Sequence, residues 1–414
     1  MSLSEDLFWR GLIKDKTFDD VNWLDEPKKF YLGIDASDSS LTIGNLAVIM
    51  LARRFLEAGW QTVLLAGGAT SLVGDPGGKE EERQLQGREE ISKNIEGIKT
   101  QMEQLFAGKD HELVNNLDWL DGVKYLDFLR DYGKFFPMAE LMQREFVGTR
   151  LGEGSAGISY AEFSYSLLQG YDFWWLLNNK DVVMQIGASD QWGNMLSGVA
   201  LIRKKDAKEV HAMSMPLVID KTTGRKFGKS EAGAIWLDPQ RTSPTKFYQF
   251  WINVEDGEVE EYLKIYTLLN KEEIEKVVAE HSKNPHAREG QRRLAQEVTK
   301  LVHGDEQTVF AEKVTDYLTG KLPIEQADEP ALAEVRQALP NTKVQPGSSV
   351  IDVLVSSKLA ESKSEARRLV QNKAVYVNGE PFTKDHFDAG DFKNGRLMLR
   401  RGKAYKDSAL VELA

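Results

Sequence analysis

Cysteine is absent from the 414 residues, so this chain has neither a disulfide framework nor a thiolate metal site. Histidine is scarce as well. Its six positions, 111, 211, 281, 286, 303 and 386, include no His-Glu-x-x-His spacing, and no metal site is expected in the protein. No apolar run approaches the roughly 18 residues of a membrane span. The opening MSLSEDLFW carries acidic residues where a leader peptide would be basic and then apolar. A cytoplasmic protein with no membrane contact is expected. A basic surplus is missing too: net charge is -11, which argues against a chain coated in basic surface. Only residues 349–414 lean the other way, with 12 Lys and Arg against 9 Asp and Glu, while the rest holds 41 against 55.

What is present is enough for two to three domains, with 41% hydrophobic residues to build at least one large core. Ser2-x-x-Glu5 reads as a capping box opening a helix. Phe30 to Ile34 is a buried strand, followed by a small-residue turn and an amphipathic helix that opens near Gly44 and Asn45. Such a junction presents free N–H groups and the positive helix end to an anion, and a nucleotide phosphate suits it. Gln61 to Ala66 is a second apolar strand that runs into Gly67 to Pro76, GGATSLVGDP. Strand, helix, strand implies a parallel α/β sheet with its ligand crevice at the strand C-terminal ends. Gly77-Gly78-Lys79 is not a P-loop, because Val73 stands where glycine is needed and Glu80 where Ser or Thr is needed. The charged stretch Lys79 to Glu90 reads as a solvated loop from which Lys79 and Arg83 could reach a pyrophosphate.

Apolar and aromatic residues from Val123 to Phe146, among them Phe135, Phe136, Met138 and Met142, read as core, with a partner surface as the alternative. A long helix follows from Tyr160 to Asn178. Tyr165, Gln169 and Asp172 are spaced i, i+4, i+7, so a phenol, an amide and a carboxylate share one face among apolar neighbours and need either partners or a ligand. Asp181 to Ile186 is another buried strand, with Gly187 to Asn194, GASDQWGN, at its C-terminal end. Thr222 to Ser230, TTGRKFGKS, is a basic loop punctuated by glycine. Three charged amphipathic helices come next, Glu255 to Leu269, Lys271 to His281 and Pro285 to His303. Residues 324–348, with three prolines, read as a linker. The tail combines a basic helix bearing Lys363, Arg367, Arg368 and Lys373 with strands turned by Asn378-Gly379 and Asn394-Gly395.

Taken together, these landmarks resemble the bacterial tyrosyl-tRNA synthetases of class I from end to end. Thr42-Ile43-Gly44-Asn45 stands at the first class signature, usually His-Ile-Gly-His, and Lys226-Phe227-Gly228-Lys229-Ser230 at the second, usually Lys-Met-Ser-Lys-Ser. Tyr31 to Asp35, Gly67 to Pro76, Glu162 to Asp172 and Gln185 to Asn194 match between them. The resemblance implies a Rossmann-like parallel-sheet catalytic domain over 1–232, with a dimer-contact insertion at about 120–160. It further implies an α-helical anticodon-binding domain over 233–323, the linker 324–348 and a small α+β alpha-L RNA-binding domain over 349–414. It also implies a two-step reaction: L-tyrosine is activated with ATP to tyrosyl-adenylate and pyrophosphate, then transferred to the terminal adenosine of tRNA(Tyr). Mg2+ would accompany ATP, and the chain would form a homodimer.

The same resemblance assigns roles. Tyr31 and Asp172 would hold the tyrosine phenol, and Asp75, Tyr165 and Gln169 its ammonium group. Asp35 and Gln191 would lie near the reacting carboxylate and phosphate, Asp190 near the ribose, and Gly33, Gly44 and Gly187 against ATP. Lys229, helped by Lys226, Lys79 and Arg83, would stabilise the leaving pyrophosphate. The departures are Thr42 and Asn45 in place of two histidines, neutral donors that would contact phosphates more weakly than a charged imidazole. Two rival readings are a tryptophanyl-tRNA synthetase, against which a Tyr31–Asp172 phenol site argues, and a catalytically silent synthetase-like RNA-binding protein.

Overall fold

The structure, a computed structural model, describes residues 1–77, 85–142, 147–148, 157–221, 224, 227–230, 233–402 and 407–414, with the side chains of residues 229 and 230 outside that description. It divides into two compact units, Met1–Thr242 with Val254–Leu294, and Ser243–Asn253 with Ala295–Ala414. Among the described residues no helix is long and apolar enough to cross a membrane.

The first unit is built on six strands: β1 (Asp15–Lys16), β2 (Lys29–Asp35), β3 (Gln61–Gly67), β4 (His111–Asn115), β5 (Met184–Ala188) and β6 (His211–Met215). Their order is β1-β6-β5-β2-β3-β4, parallel except where β1 pairs with β6. Phe30, Tyr31, Leu32, Val63, Leu64, Leu65 and Ile186 are all buried, the near-continuous apolar runs of strands covered on both faces. From β2 the chain first moves outward through β3 and β4, then returns on the other side through β5 and β6. The direction of winding therefore reverses between β2 and β5, and a crevice opens at their C-terminal ends.

Helix α1 (Ile43–Glu57) joins β2 to β3 and is buried nearly all round. Helix α2 (Gly68–Val73) starts at once from β3. The turn is tight: a Cβ on Gly67 would collide with the side chains of Asp35 and Thr70. Helix α3 (Arg88–Leu105) presents Ile91, Ile95, Ile98, Met102 and Leu105 to the core, as their spacing requires. Helices α4 (Tyr160–Lys180) and α5 (Trp192–Asp206) flank β5 in sequence. Of the Val123 to Phe146 stretch read as core, Phe136 and Leu141 are buried, but Met138 and Met142 are 58% and 45% exposed, as are Tyr125 and Leu126 at 62% and 76%. Phe146 lies outside the described residues. Apolar content alone did not distinguish the two settings.

The helical stretch after residue 232 does not form one body. Helices α6 (Val259–Tyr266) and α7 (Lys271–Lys283) belong to the first unit, whereas the helix Pro244–Ile252 belongs to the second. Amphipathic helices need a partner for their apolar faces, but the pattern does not name it. For α6 the partners are in the first unit: the Phe227 ring packs against Tyr262 with ring centroids 4.3 Å apart. At the C-terminal end of α6, Arg54 donates to the carbonyls of Lys264, Ile265 and Thr267 at 2.8, 3.3 and 2.6 Å, and Arg10 to those of Lys264 and Leu269 at 2.9 and 2.6 Å. These carbonyls have no partner within the helix, and the two guanidiniums supply one.

The linker expectation for 324–348 is corrected. Helix α8 (Glu329–Ala338) and strand β7 (Asn341–Val344) occupy it, and β7 joins β8 (Val375–Val377), β9 (Glu380–Pro381), β10 (Arg396–Arg401) and β11 (Ser408–Leu413) in a sheet ordered β9-β8-β10-β11-β7. Leu397, Leu399 and Val411 face one core with Val350, Leu354 and Phe387, while Met398 and Leu410 face another with Val314, Tyr317, Leu332 and Val335. This is the period of two expected of strands, with both faces covered. The prolines mark element ends; Pro330 opens α8, where its missing N–H costs nothing. Asn378 and Asn394 adopt φ of 50° and 52° ahead of Gly379 and Gly395, as their turns require.

Candidate active site

The C-terminal ends of β2, β3 and β5 open into a cleft of about 1080 Å³. It gathers Tyr31, Gly33, Asp35, Thr42, Gly44, Asn45, Asp75, Tyr165, Gln169, Asp172, Gly187, Asp190 and Gln191, residues separated in sequence by up to 160 positions. Lys79, Arg83 and Lys226 lie outside the described residues. Of Lys229 only the backbone is described, paired with Ala234 in a short hairpin.

One part of the cleft is lined by the buried residues Tyr31, Asp172 and Gln185. The Asp172 carboxylate accepts the Trp119 indole N–H at 2.8 Å and the Asn116 amide at 3.0 Å. Burial pushes its pKa up to about 7, against the pull of those two hydrogen bonds. Tyr31 is fully buried on β2, and its hydroxyl has no hydrogen-bond partner among the described residues. Burial, and then the charge of Asp172, hold that phenol well above its ordinary pKa, so it stays a donor. In register with Tyr31 on β5 stands Gln185, also buried, and its Oε1 likewise has no partner among the described residues. Two unmatched polar atoms on one cleft wall call for a ligand that carries both donors and acceptors.

A hydrogen-bond relay links this part to the next. Asn116 also donates to Thr70 Oγ1 at 3.1 Å and accepts the Ala69 N–H at 2.7 Å; Thr70 in turn donates to Asp35 at 2.7 Å. Asp35 accepts the Tyr165 hydroxyl at 2.9 Å. Burial, then the negative charges of Asp35 and Asp75, hold the Tyr165 phenol protonated. Across the cleft Asp75 accepts Gln191 at 2.6 Å and the Gly77 N–H at 3.0 Å, and Gln191 accepts Asn194 at 3.1 Å. The face predicted to carry Tyr165, Gln169 and Asp172 therefore does line the cleft.

At the mouth, Thr42 caps α1 in extended conformation. Its N–H and its hydroxyl both donate to Asn45 Oδ1, at 2.9 and 2.8 Å. The two residues that replace the signature histidines are thus engaged with each other, and the Asn45 NH2 is the donor left for a ligand. The two signatures also touch. Ile43 donates through its backbone to Ile235 at 3.1 Å, and Gly228, at φ 86°, sits so close to Ile43 that a Cβ would collide with its side chain.

Sequence reasoning missed Asn116, Trp119, Thr70 and Gln185. Gln185 left a trace, as the one amide in an otherwise apolar strand, VVMQIG. Asn116 and Trp119 left less: they follow β4 at its C-terminal end, where a parallel sheet places ligand residues.

The family model for tRNA synthetases class I (W and Y) matches residues 24–318, and that for the tyrosine--tRNA ligase SYY-like C-terminal domain matches residues 331–406. A tyrosine--tRNA ligase of Limosilactobacillus fermentum is 42% identical over 97% of this chain and 98% of its own, and one of Lactobacillus johnsonii 41% identical over 96% of each. Among solved structures, a C-terminally truncated mitochondrial tyrosyl-tRNA synthetase of Aspergillus nidulans superposes with TM-score 0.69 at 29% identity, covering 77% of this chain and 94% of its own. The chain belongs to the tyrosine--tRNA ligases of the class I tRNA synthetases.

Proposed function

We propose that the cleft performs both steps of this family's reaction with its residues in the following roles. Tyr31 and Asp172 hold the tyrosine phenol, the first donating to its oxygen and the second accepting its proton. Asp75, Tyr165 and Gln169 receive the ammonium group, and Gln185 Oε1 is a further acceptor beside it. Asp35 and Gln191 lie beside the reacting carboxylate and α-phosphate, Asp190 beside the ribose, and Gly33, Gly44 and Gly187 leave room for the nucleotide.

The chemistry asks little of these residues beyond placement. Tyrosine's carboxylate is ionised at neutral pH, so its oxygen attacks the α-phosphorus of ATP without a general base, and pyrophosphate leaves. The Asn45 side-chain NH2 at the start of α1 is the neutral donor for phosphate. Lys229, Lys226, Lys79 and Arg83 are assigned the charge of the leaving group. Among the described residues no group of three or more carboxylates or imidazoles could hold a metal ion. Mg2+ would therefore ride on the phosphate oxygens of ATP, where it neutralises charge.

The observation that carries this reading is the buried Tyr31 hydroxyl, which has no partner among the described residues, while Asp172 beside it already accepts from Trp119 and Asn116. A phenol supplies an acceptor to Tyr31 and a further donor to Asp172, whereas phenylalanine would leave the Tyr31 hydroxyl unmet and the buried carboxylate facing an apolar ring. A site built to hydrogen-bond a hydroxyl rejects the analogue without it far more strongly than size alone allows, and this family is the type case. The same match disfavours an indole. The tyrosine-specific C-terminal match also disfavours the tryptophanyl reading.

The proposal extends to tRNA(Tyr), gripped by the second unit and its basic helix, to a cytoplasmic location and to a homodimer. Exposed Tyr125, Leu126, Met138, Met142 and Tyr160 cluster in the 120–160 segment, which supports that segment as the dimer contact.

The test is exchange of pyrophosphate into ATP with tyrosine, phenylalanine or tryptophan. Exchange with tyrosine alone is expected. Exchange with tryptophan would reassign the pocket, and none with any amino acid would leave the silent RNA-binding reading.

A further inference from the structure

Five carboxylates, Asp35, Asp38, Asp75, Asp172 and Asp190, line the cleft, and among its described lining residues there is no lysine or arginine. A triphosphate entering such a site meets repulsion, and the two signature positions that usually bring imidazoles bring Thr42 and Asn45. A described cation tied to the lining is Arg241. Its guanidinium forms an ion pair with Asp38 and lies over the Trp236 indole, 3.3 Å from the ring centroid.

This placement is built, not incidental. Trp236 forms a β-bridge with Thr42, and Leu237 N–H donates to Leu41 at 2.8 Å, so the platform is sewn to the residues that open α1. The following turn folds back on itself: Arg241 and Thr242 N–H both donate to Asp238 O, at 3.1 and 3.0 Å, and Thr242 Oγ1 accepts the Trp236 N–H at 3.0 Å. Asp238 N–H donates to Ser40 at 3.2 Å. The turn thus fixes the backbone of Arg241 while its side chain remains about one-third exposed. A guanidinium over a ring keeps its in-plane N–H donors available for a bidentate acceptor, a role that two oxygens of either a carboxylate or a phosphate can fill.

We propose that Arg241 is a triphosphate-binding residue of this enzyme, held at the cleft mouth by Trp236 and parked on Asp38 until the β- or γ-phosphate of ATP displaces that carboxylate. In this chain Arg241 then supplies charge at the end of the cleft where the imidazoles are missing. The assignment rests on the proposed ATP site.

Pyrophosphate exchange with the full-length chain tests it, with KM for ATP and for tyrosine measured separately. Arg241→Met should raise KM for ATP by roughly tenfold, the value of one charge-assisted contact, and leave KM for tyrosine unchanged. Asp38→Asn should lower KM for ATP in the parent, and lose most of that effect in the Arg241→Met background, because its target is then gone. Arg241→Met with an unchanged KM for ATP would overturn the proposal, as would an Asp38→Asn effect of equal size in both backgrounds, which would mark simple repulsion. Absence of tyrosine-dependent exchange in the parent chain would instead overturn the ATP site itself. Thermal melting of each variant separates a folding defect, which would change both KM values and kcat together, from the ATP-specific change expected here.

Discussion

The Asp172 carboxylate accepts the Trp119 indole N–H at 2.8 Å, and the Trp119 ring stacks on Trp175 with centroids 4.2 Å apart and planes 10° from parallel. One residue thus holds the carboxylate that is proposed to recognise the substrate hydroxyl and also packs behind it. Trp119→Phe keeps an aromatic ring for the stack and removes the donor. A hydrogen bond to a charged group contributes about 1.5–3 kcal/mol. Tyrosine binding in Trp119→Phe, measured by equilibrium dialysis, should weaken by roughly tenfold or more, while KM for ATP stays put. Unchanged binding would show that Asn116 alone suffices to hold Asp172.

Asp172 also sets a pH dependence. Burial raises its pKa from 3.8 to about 7 in the folded chain. The folded state therefore holds this proton more tightly than the unfolded chain, and stability from this group falls as pH rises through that window. The cost of the buried charge is fully present above 7 and relieved as pH drops towards 3.8. Substrate binding runs in the opposite sense, because the ionised form, with Trp119 and Asn116 already donating to it, is the one that accepts a phenol proton. Tyrosine affinity should level off above pH 7 and fall by about tenfold per unit below it. Dialysis across pH 5.5 to 8.5 checks this, with Asp172→Asn expected to flatten the curve and bind weakly throughout.

What the sequence disclosed and what it hid divide along the range of the interactions. Tyr165, Gln169 and Asp172 were legible because helical periodicity is local and places them on one face whatever they pack against. Tyr31 beside Gln185 was not, since that pairing depends on β2 meeting β5 in one register across more than 150 residues. The same holds for Asn116 and Trp119, which come to Asp172 from the far side of β4. The helices met a related difficulty: the charged amphipathic pattern of α6 announced a need for burial, but Phe227, which meets it, lies on a distant stretch, and α8, whose Leu332 and Val335 share a core with Met398, sits where a linker was expected. Prolines in 324–348 looked like a linker because proline marks ends of elements and connectors alike.

Gly228 offers a direct test of how the two signatures are joined. At φ 86° it holds a conformation that a side chain resists by about 1–2 kcal/mol, and a Cβ there would strike Ile43. Gly228→Ala should therefore lower the rate of tyrosyl-adenylate formation by at least about tenfold, read by single-turnover kinetics. The phenol end of the cleft is untouched, so tyrosine binding should persist. Adding Ile43→Ala, which removes both struck carbons, Cγ1 and Cδ1, should recover part of the rate; no recovery would place the defect in backbone strain alone.

Arg54 makes the same connection from the opposite end of the helix. It leaves α1 to donate to three carbonyls at the C-terminus of α6, the helix whose Tyr262 and Tyr266 support Phe227 of the second signature. Burial, with Arg10 adding repulsion, lowers its pKa only to about 9, so it is charged at neutral pH and suits the negative end of a helix. Arg54→Met would leave the buried carbonyls of Ile265 and Thr267 without this donor, while Lys264 keeps Arg10, at a cost of about 1–3 kcal/mol for each one left unmet. A drop in melting temperature of several degrees is expected. Arg54→Lys should rescue little, because one ammonium cannot span carbonyls that a planar fork reaches together. Activity discriminates what melting cannot. If α6 serves only as packing, Arg54→Met assayed well below its melting point should keep its kcat. If α6 is the brace that places the second signature over the first, kcat for adenylate formation should fall there while tyrosine binding holds, and we expect the latter.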